Sequence, residues 1–96
     1  AAEAKQKMAA NPQAVVLDVR TADEYREKHI PQAVLLPLAE VKEKASAVLP
    51  DKNAEILVYC RSGNRSRQAG VLLAEMGYAS VYDFGGIQDW PYEVVQ

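Results

Sequence analysis

The chain has 96 residues, 49% of them hydrophobic, and its 11 basic and 13 acidic side chains leave a formal charge of −2. That is material for one domain around a modest core, and the near-neutral balance gives no reason to expect nucleic acid or a membrane surface as a partner. No apolar run approaches the ~20 residues of a membrane span, and the single cysteine, Cys60, excludes both an internal disulfide and a resolving thiol in the same chain.

Residues 2–10 (AEAKQKMAA) are strong helix formers with a thin apolar face, and Asn11-Pro12 ends the run, which predicts a surface helix. Residues 14–19 read as a strand with little alternation, as expected of one covered on both faces. Thr21-Ala22-Asp23-Glu24 is a capping box and opens a short helix to about Lys28. Histidine is a common general base, but His29 stands alone at a helix end, and we read it as structural. Residues 33–36 are the next strand, closed by Pro37, after which Leu38, Val41, Ala45 and Val48 mark one helix face. Pro50-Asp51-Lys52-Asn53 is a turn.

The central stretch, residues 56–76, reads ILVYCRSGNRSRQAGVLLAEM. Ile56–Tyr59 is short, apolar and rich in β-formers, so it predicts a buried strand that stops at Cys60. Ala69, Leu72, Leu73 and Met76 recur at helical spacing after the intervening polar loop. Gly70 inside this helix predicts close backbone packing on the sheet, and Gly77 a helix stop. Residues 80–84 form the last strand, Gly85-Gly86 bring the chain around, and Ile87–Trp90 fit one helical turn before Pro91. Trp90 and Tyr92 could either wall the cysteine pocket or close the core. There is no internal repeat and no low-complexity segment.

A free thiol has a pKa near ~8.5, so only a few per cent is thiolate at neutral pH, and each unit of depression needs about 1.4 kcal/mol. Three sources are at hand. The loop can aim successive N–H groups at one point. The following helix directs its positive end there, worth ~0.3–1 kcal/mol. Arg61, Arg65 and Arg67 add charge, with no acid between Tyr59 and Gly70. Gly63 supplies positive φ and Asn64 tolerates it. A structural cysteine needs neither that turn nor those cations, so the reading is a reactive thiolate in an anion-binding cradle.

The segment YCRSGNRS, Tyr59–Ser66, resembles the active-site loop of the rhodanese (sulfurtransferase) family. Asp18-Val19-Arg20 resembles its DVR motif, Glu24-Tyr25 with His29–Ala33 its E-[FY]…GHIPGA segment, and Gly85-Gly86 to Trp90 its GG…W motif. In order and spacing these cover about residues 14–92 of what reads as one domain over 1–96. The family usually starts with a short strand that is not legible here, and it tends to place glycines where this chain has Lys28 and Gln32. If either position needs positive φ, the turn here must differ.

The resemblance implies an α/β domain, a parallel sheet of four to five strands with helices on both faces. It implies that Cys60 carries sulfur as a persulfide, taken from thiosulfate or a related donor and passed to a thiol or cyanide. Arg61, Ser62, Gly63, Asn64 and Arg65 would then bind the donor, and Asp18, Arg20 and Ser66 would fix the loops. No metal or organic cofactor is implied, and a protein sulfur acceptor is admitted. A persulfide carrier without turnover would use the same loop. Cysteine phosphatases and arsenate reductases are the remaining alternative, but their loop has one more residue between Cys and Arg. The compartment stays undecided, with the cytoplasm slightly favoured and export open if a leader was removed.

Overall fold

In the computed structural model, which describes residues 1–96, strand β3 (Glu55–Cys60) is the spine of the sheet. It pairs in parallel with β1 (Val15–Asp18) on one side and β4 (Ser80–Gly86) on the other, and β2 (Val34–Leu35) flanks β1. The order is β2-β1-β3-β4, all parallel. Residues 56–59 of β3 are 0% exposed, which is why the run is apolar throughout: a central parallel strand is covered on both faces.

Alternation still sorts its side chains. Ile56, Val58 and Cys60 join one core with Leu17, Val19, Val41 and Ala45 of α3 (Val41–Val48), and Ala69 and Leu73 of α4 (Asn64–Glu75). Leu57 and Tyr59 join the other with Ala4 of α1 (Ala2–Ala10), Ile30, Ala33, Ile87 and Trp90. The two-residue period of the strand therefore puts the Cys60 sulfur on the α4 face and the Tyr59 ring on the opposite face. Tyr78 closes the first core with its hydroxyl 2.7 Å from Leu49 O and 3.1 Å from Ala45 O at the C-terminal end of α3.

Element boundaries moved where side chains could not announce them. β2 shrinks to Val34–Leu35, and α3 is preceded by a 3-10 turn, Leu38–Glu40. β4 runs on to Gly86 because the register slips: Val58 faces Asp83 but Cys60 faces Gly86, so β4 holds one extra residue there. Such bulges re-aim side chains next to sites. Gln32 itself stands at φ 71, so the turn takes a left-handed conformation without glycine, at a cost of about 1 kcal/mol. Lys28 is extended, with φ −168, which any residue adopts.

One further expectation needs correction. A Cβ on Gly70 would meet only Val81 Cγ1, at 3.9 Å, so close packing does not explain that glycine. Of the two roles open to Trp90, the structure takes the core one: it packs on Phe84 in the second core and donates its indole N–H to Glu93 O at 3.1 Å. His29 is held structurally, its ring stacked on Tyr25 at 3.8 Å and its Nδ1 2.8 Å from Tyr25 O.

Candidate active site

Parallel strands deliver their C-terminal ends to one rim, where open α/β sheets bind ligands. Here that rim carries Asp18–Arg20 from β1, Cys60 from β3 and Gly85–Gly86 from β4. The Cys60 side is built from the loop upward. Gly63 stands at φ 109 immediately before α4, a conformation L-residues rarely adopt, and there its N–H donates to Cys60 Sγ at 3.0 Å. Ser66, buried at the first turn of α4, has its Oγ 3.6 Å from the same sulfur. Burial of Cys60, only 1% exposed, pushes its thiol pKa up, but the Ser66 hydroxyl and the N–H groups of Ser66, Gly63 and Ser62 outweigh it, and the net direction is down.

The loop owes its shape to β4. A Cβ on Gly86 would fall 2.1 Å from Arg61 O, a distance no side chain survives, and Gln88 N–H donates to that same carbonyl at 3.2 Å. The glycine pair thus lets one backbone lie directly on another.

The three arginines that sit together in the sequence part company in space. Arg61 makes no ion pair and lines a cleft of about 560 Å³ with Arg20, Glu24, Glu27, Lys28, Ile87 and Gln88. Arg65 turns to α2 (Ala22–Glu27) and donates to both oxygens of Glu24, at 2.7 and 3.0 Å. The absence of acids between residues 59 and 70 therefore does not leave Arg65 free. Arg65, with Thr21 of the capping box, lowers the Glu24 pKa to about 2 despite partial burial, and the Arg65 guanidinium is raised in turn. Arg67 donates to Asn64 Oδ1 at 3.2 Å in an exposed pair, and makes no ion pair.

The β1 end is a closed network. Asp18, fully buried, accepts from Arg20 N at 2.9 Å, Arg20 Nε at 3.0 Å, Arg20 Nη2 at 2.7 Å and the Tyr59 hydroxyl at 2.7 Å. Arg20 Nη2 also donates to Lys28 O at 2.7 Å, binding the end of α2 to the sheet. Tyr59 receives Ile30 N–H at 3.1 Å, and burial holds its phenol well above the ordinary range. Asp18 thus takes one backbone N–H, that of Arg20, and otherwise side-chain donors.

Sequence reasoning missed Glu24 as the partner of Arg65, Tyr59 as the partner of Asp18, and Asp83, whose Oδ1 accepts from Ser66 Oγ at 2.7 Å and Gly85 N at 2.9 Å. The capping box accounted for Glu24 by itself, and nothing local marks the other two.

The family model for the rhodanese-like domain matches residues 1–92, and the chain belongs to the rhodanese family. It is 44% identical over 73 residues to the thiosulfate sulfurtransferase PspE of Escherichia coli, covering 76% of this chain and 70% of that one. It is 37% identical over 87 residues to the putative sulfur carrier protein YrkF of Bacillus subtilis, covering 90% of this chain and 46% of YrkF. Among solved structures it superposes on an E. coli rhodanese with anions at a TM-score of 0.81 and 40% identity, over 86% of this chain and 98% of that one. The Alr3790 protein of Anabaena matches at a TM-score of 0.87 and 27% identity, over 98% and 79% respectively. The family's sulfurtransferase chemistry frames the site.

Proposed function

We propose that the protein is a thiosulfate sulfurtransferase working through a persulfide on Cys60. The Cys60 thiolate attacks the outer, sulfane sulfur of thiosulfate; the S–S bond of the donor breaks and sulfite leaves with the bonding pair. A second nucleophile, a thiolate or cyanide, then attacks the outer sulfur of the persulfide, and Cys60 leaves again as thiolate. Ping-pong kinetics follow. No cofactor enters this scheme.

The observation that carries it is the aim of the loop. A buried sulfur receives Gly63 N–H at 3.0 Å, and the neighbouring Ser62 and Ser66 N–H groups add to the lowering of its pKa. Donors fixed on a developing anion are worth more in a dry site than in water, and cost no reorganisation at the moment of reaction. Arg61, which has no carboxylate partner, would hold the oxygens of the donor at the edge of the cleft. Arg65 would reach the donor only by leaving Glu24. Ser62, Gly63 and Asn64 contribute backbone, and Asp18, Arg20 and Ser66 keep the rim in place. The name borne by PspE supports thiosulfate as the donor.

YrkF supports a second reading, in which the Cys60 persulfide is handed to a partner protein rather than to a small thiol. The phosphatase reading has less support, since the loop is a residue short and its Arg65 is already engaged.

Intact-protein mass after incubation of reduced protein with thiosulfate tests the proposal. The expected result is a gain of one sulfur that cyanide removes and that Cys60→Ser abolishes. A folded protein with a titratable thiol and no mass gain would refute thiosulfate as donor. Discharge faster with protein thiols than with small ones would favour the carrier.

A further inference from the structure

Ser66 has one hydroxyl proton and four neighbours that could claim an interaction with its oxygen. Asp83 Oδ1 lies at 2.7 Å, Gly63 O at 3.1 Å, Gly85 O at 3.3 Å and Cys60 Sγ at 3.6 Å. The carboxylate is the shortest and the only charged acceptor among the three oxygens, and hydrogen bonds to charged groups are the stronger ones. When Ser66 gives its proton to Asp83, its oxygen can only accept from Cys60, and that favours the thiol. When Ser66 gives its proton to the sulfur, the thiolate is favoured instead.

Asp83 is placed for this by the bulge in β4 and by Gly85 N–H, which donates to the same Oδ1 at 2.9 Å. It borders a cavity of about 430 Å³ with Ser62, Gly63, Asn64 and Arg67, separate from the cleft that Arg61 lines. The other charged groups around the pair are Arg67 and Arg65 on α4, the latter engaged by Glu24 of α2, with Tyr82 beside Asp83 on β4.

We propose that Asp83 is a positioning residue which, by claiming the Ser66 hydroxyl proton, sets how firmly Cys60 holds its own proton, and so balances the two half-reactions of sulfur transfer. A thiolate of higher proton affinity attacks the donor better, whereas one of lower affinity leaves the persulfide better. In the resting thiol, the S–H proton bonds to Ser66 Oγ and the Ser66 O–H to Asp83. On ionisation the thiol proton passes to Ser66, the Ser66 proton passes to Asp83, and Asp83 loses it to water in the adjoining cavity. The inference rests on Cys60 being the sulfur-carrying thiol.

The test is the pH profile of iodoacetamide alkylation of the full chain, where the single cysteine removes any need for mapping. It is run on wild type, Asp83→Asn, Ser66→Ala and the double variant. The neutral amide oxygen keeps Gly85 N–H but competes less for the Ser66 proton and removes a like charge, so the alkylation midpoint should fall by about one pH unit. In the Ser66→Ala background the shift should drop to less than half. Per thiolate, Asp83→Asn should alkylate about threefold more slowly and discharge its persulfide about threefold faster, the opposed movement expected of a leaving-group effect. An unchanged midpoint, a full-sized shift without Ser66, or both steps slowing together would overturn the proposal. Should Ser66→Ala fail to fold, the opposed rates in Asp83→Asn decide alone. Alkylation needs no sulfur donor, so a protein that takes no sulfur would still report the shift, and the two readings fail separately.

Discussion

The ends of β1 and β3 lie side by side, Asp18 in register with Tyr59, and they treat charge in opposite ways. At β1 a buried carboxylate and a buried guanidinium saturate one another and their neighbours, down to the carbonyl of Lys28. At β3 the Gly63 N–H of the loop is aimed at one sulfur, and Arg61, the next residue along the chain, is left without a carboxylate. A closed network holds shape, because breaking either partner strands a buried charge. An open one holds a ligand, because its donors are satisfied only when negative charge arrives. The Glu24–Arg65 pair stands between these cases, a loop cation half withdrawn into scaffold.

If that contrast is right, substitutions at the two ends should separate activity from stability. Cys60→Ser should remove sulfur uptake altogether in a thiosulfate–cyanide assay while leaving the unfolding transition within about 1 kcal/mol of wild type. Arg20→Met should do the reverse in kind: a loss of about 3–5 kcal/mol in chemical denaturation, from an unpaired Asp18 in the core, with the alkylation rate of the remaining folded protein preserved. An Arg20 variant that kept its stability would erase the distinction. Gly86→Ala couples the two ends, since its methyl would drive into Arg61; a destabilisation of about 1–3 kcal/mol should come with a raised alkylation midpoint, because the loop donors are displaced.

Smaller effects sharpen the picture. Glu24→Gln keeps the capping box but releases Arg65, at a cost of about 1 kcal/mol or less for a partly exposed pair. Since the Glu24 pKa is lowered on folding to about 2, its contribution is complete above the unfolded carboxylate range and is lost as pH falls through to about 2. Wild type should therefore lose more stability than the variant over that acid window in pH-dependent urea melts. Gly70→Ala, with ordinary contact distance at its Cβ, should raise stability by about 0.5–1 kcal/mol.

Much of this was legible in advance. The strand ending at Cys60 and the Gly63 turn follow from local pattern, because burial on both faces and positive φ each constrain residue type directly. The capping box at Thr21–Glu24 formed as read, with Glu24 N–H to Thr21 Oγ1 at 3.3 Å. What stayed hidden depends on separation along the chain. Glu24 and Arg65 are 41 residues apart, as are Asp18 and Tyr59, and no periodicity links positions so distant. Gly70 misled for the opposite reason: a helical glycine suggests a close neighbour, yet here a Cβ would find only an ordinary contact, Val81 Cγ1 at 3.9 Å.

By itself, then, the amino-acid order determined the strands, the helices between them and the position of the thiol at a strand end, since those rest on hydrophobic period and on backbone freedom at single residues. Only the tertiary structure decided which loop cation is paired, that Gly86 lies directly against the Arg61 backbone, and that Asp83 and the Cys60 sulfur meet at one hydroxyl. Such choices are made by distances between strands and helices, and those are set by packing of the whole core rather than by any local run of residues.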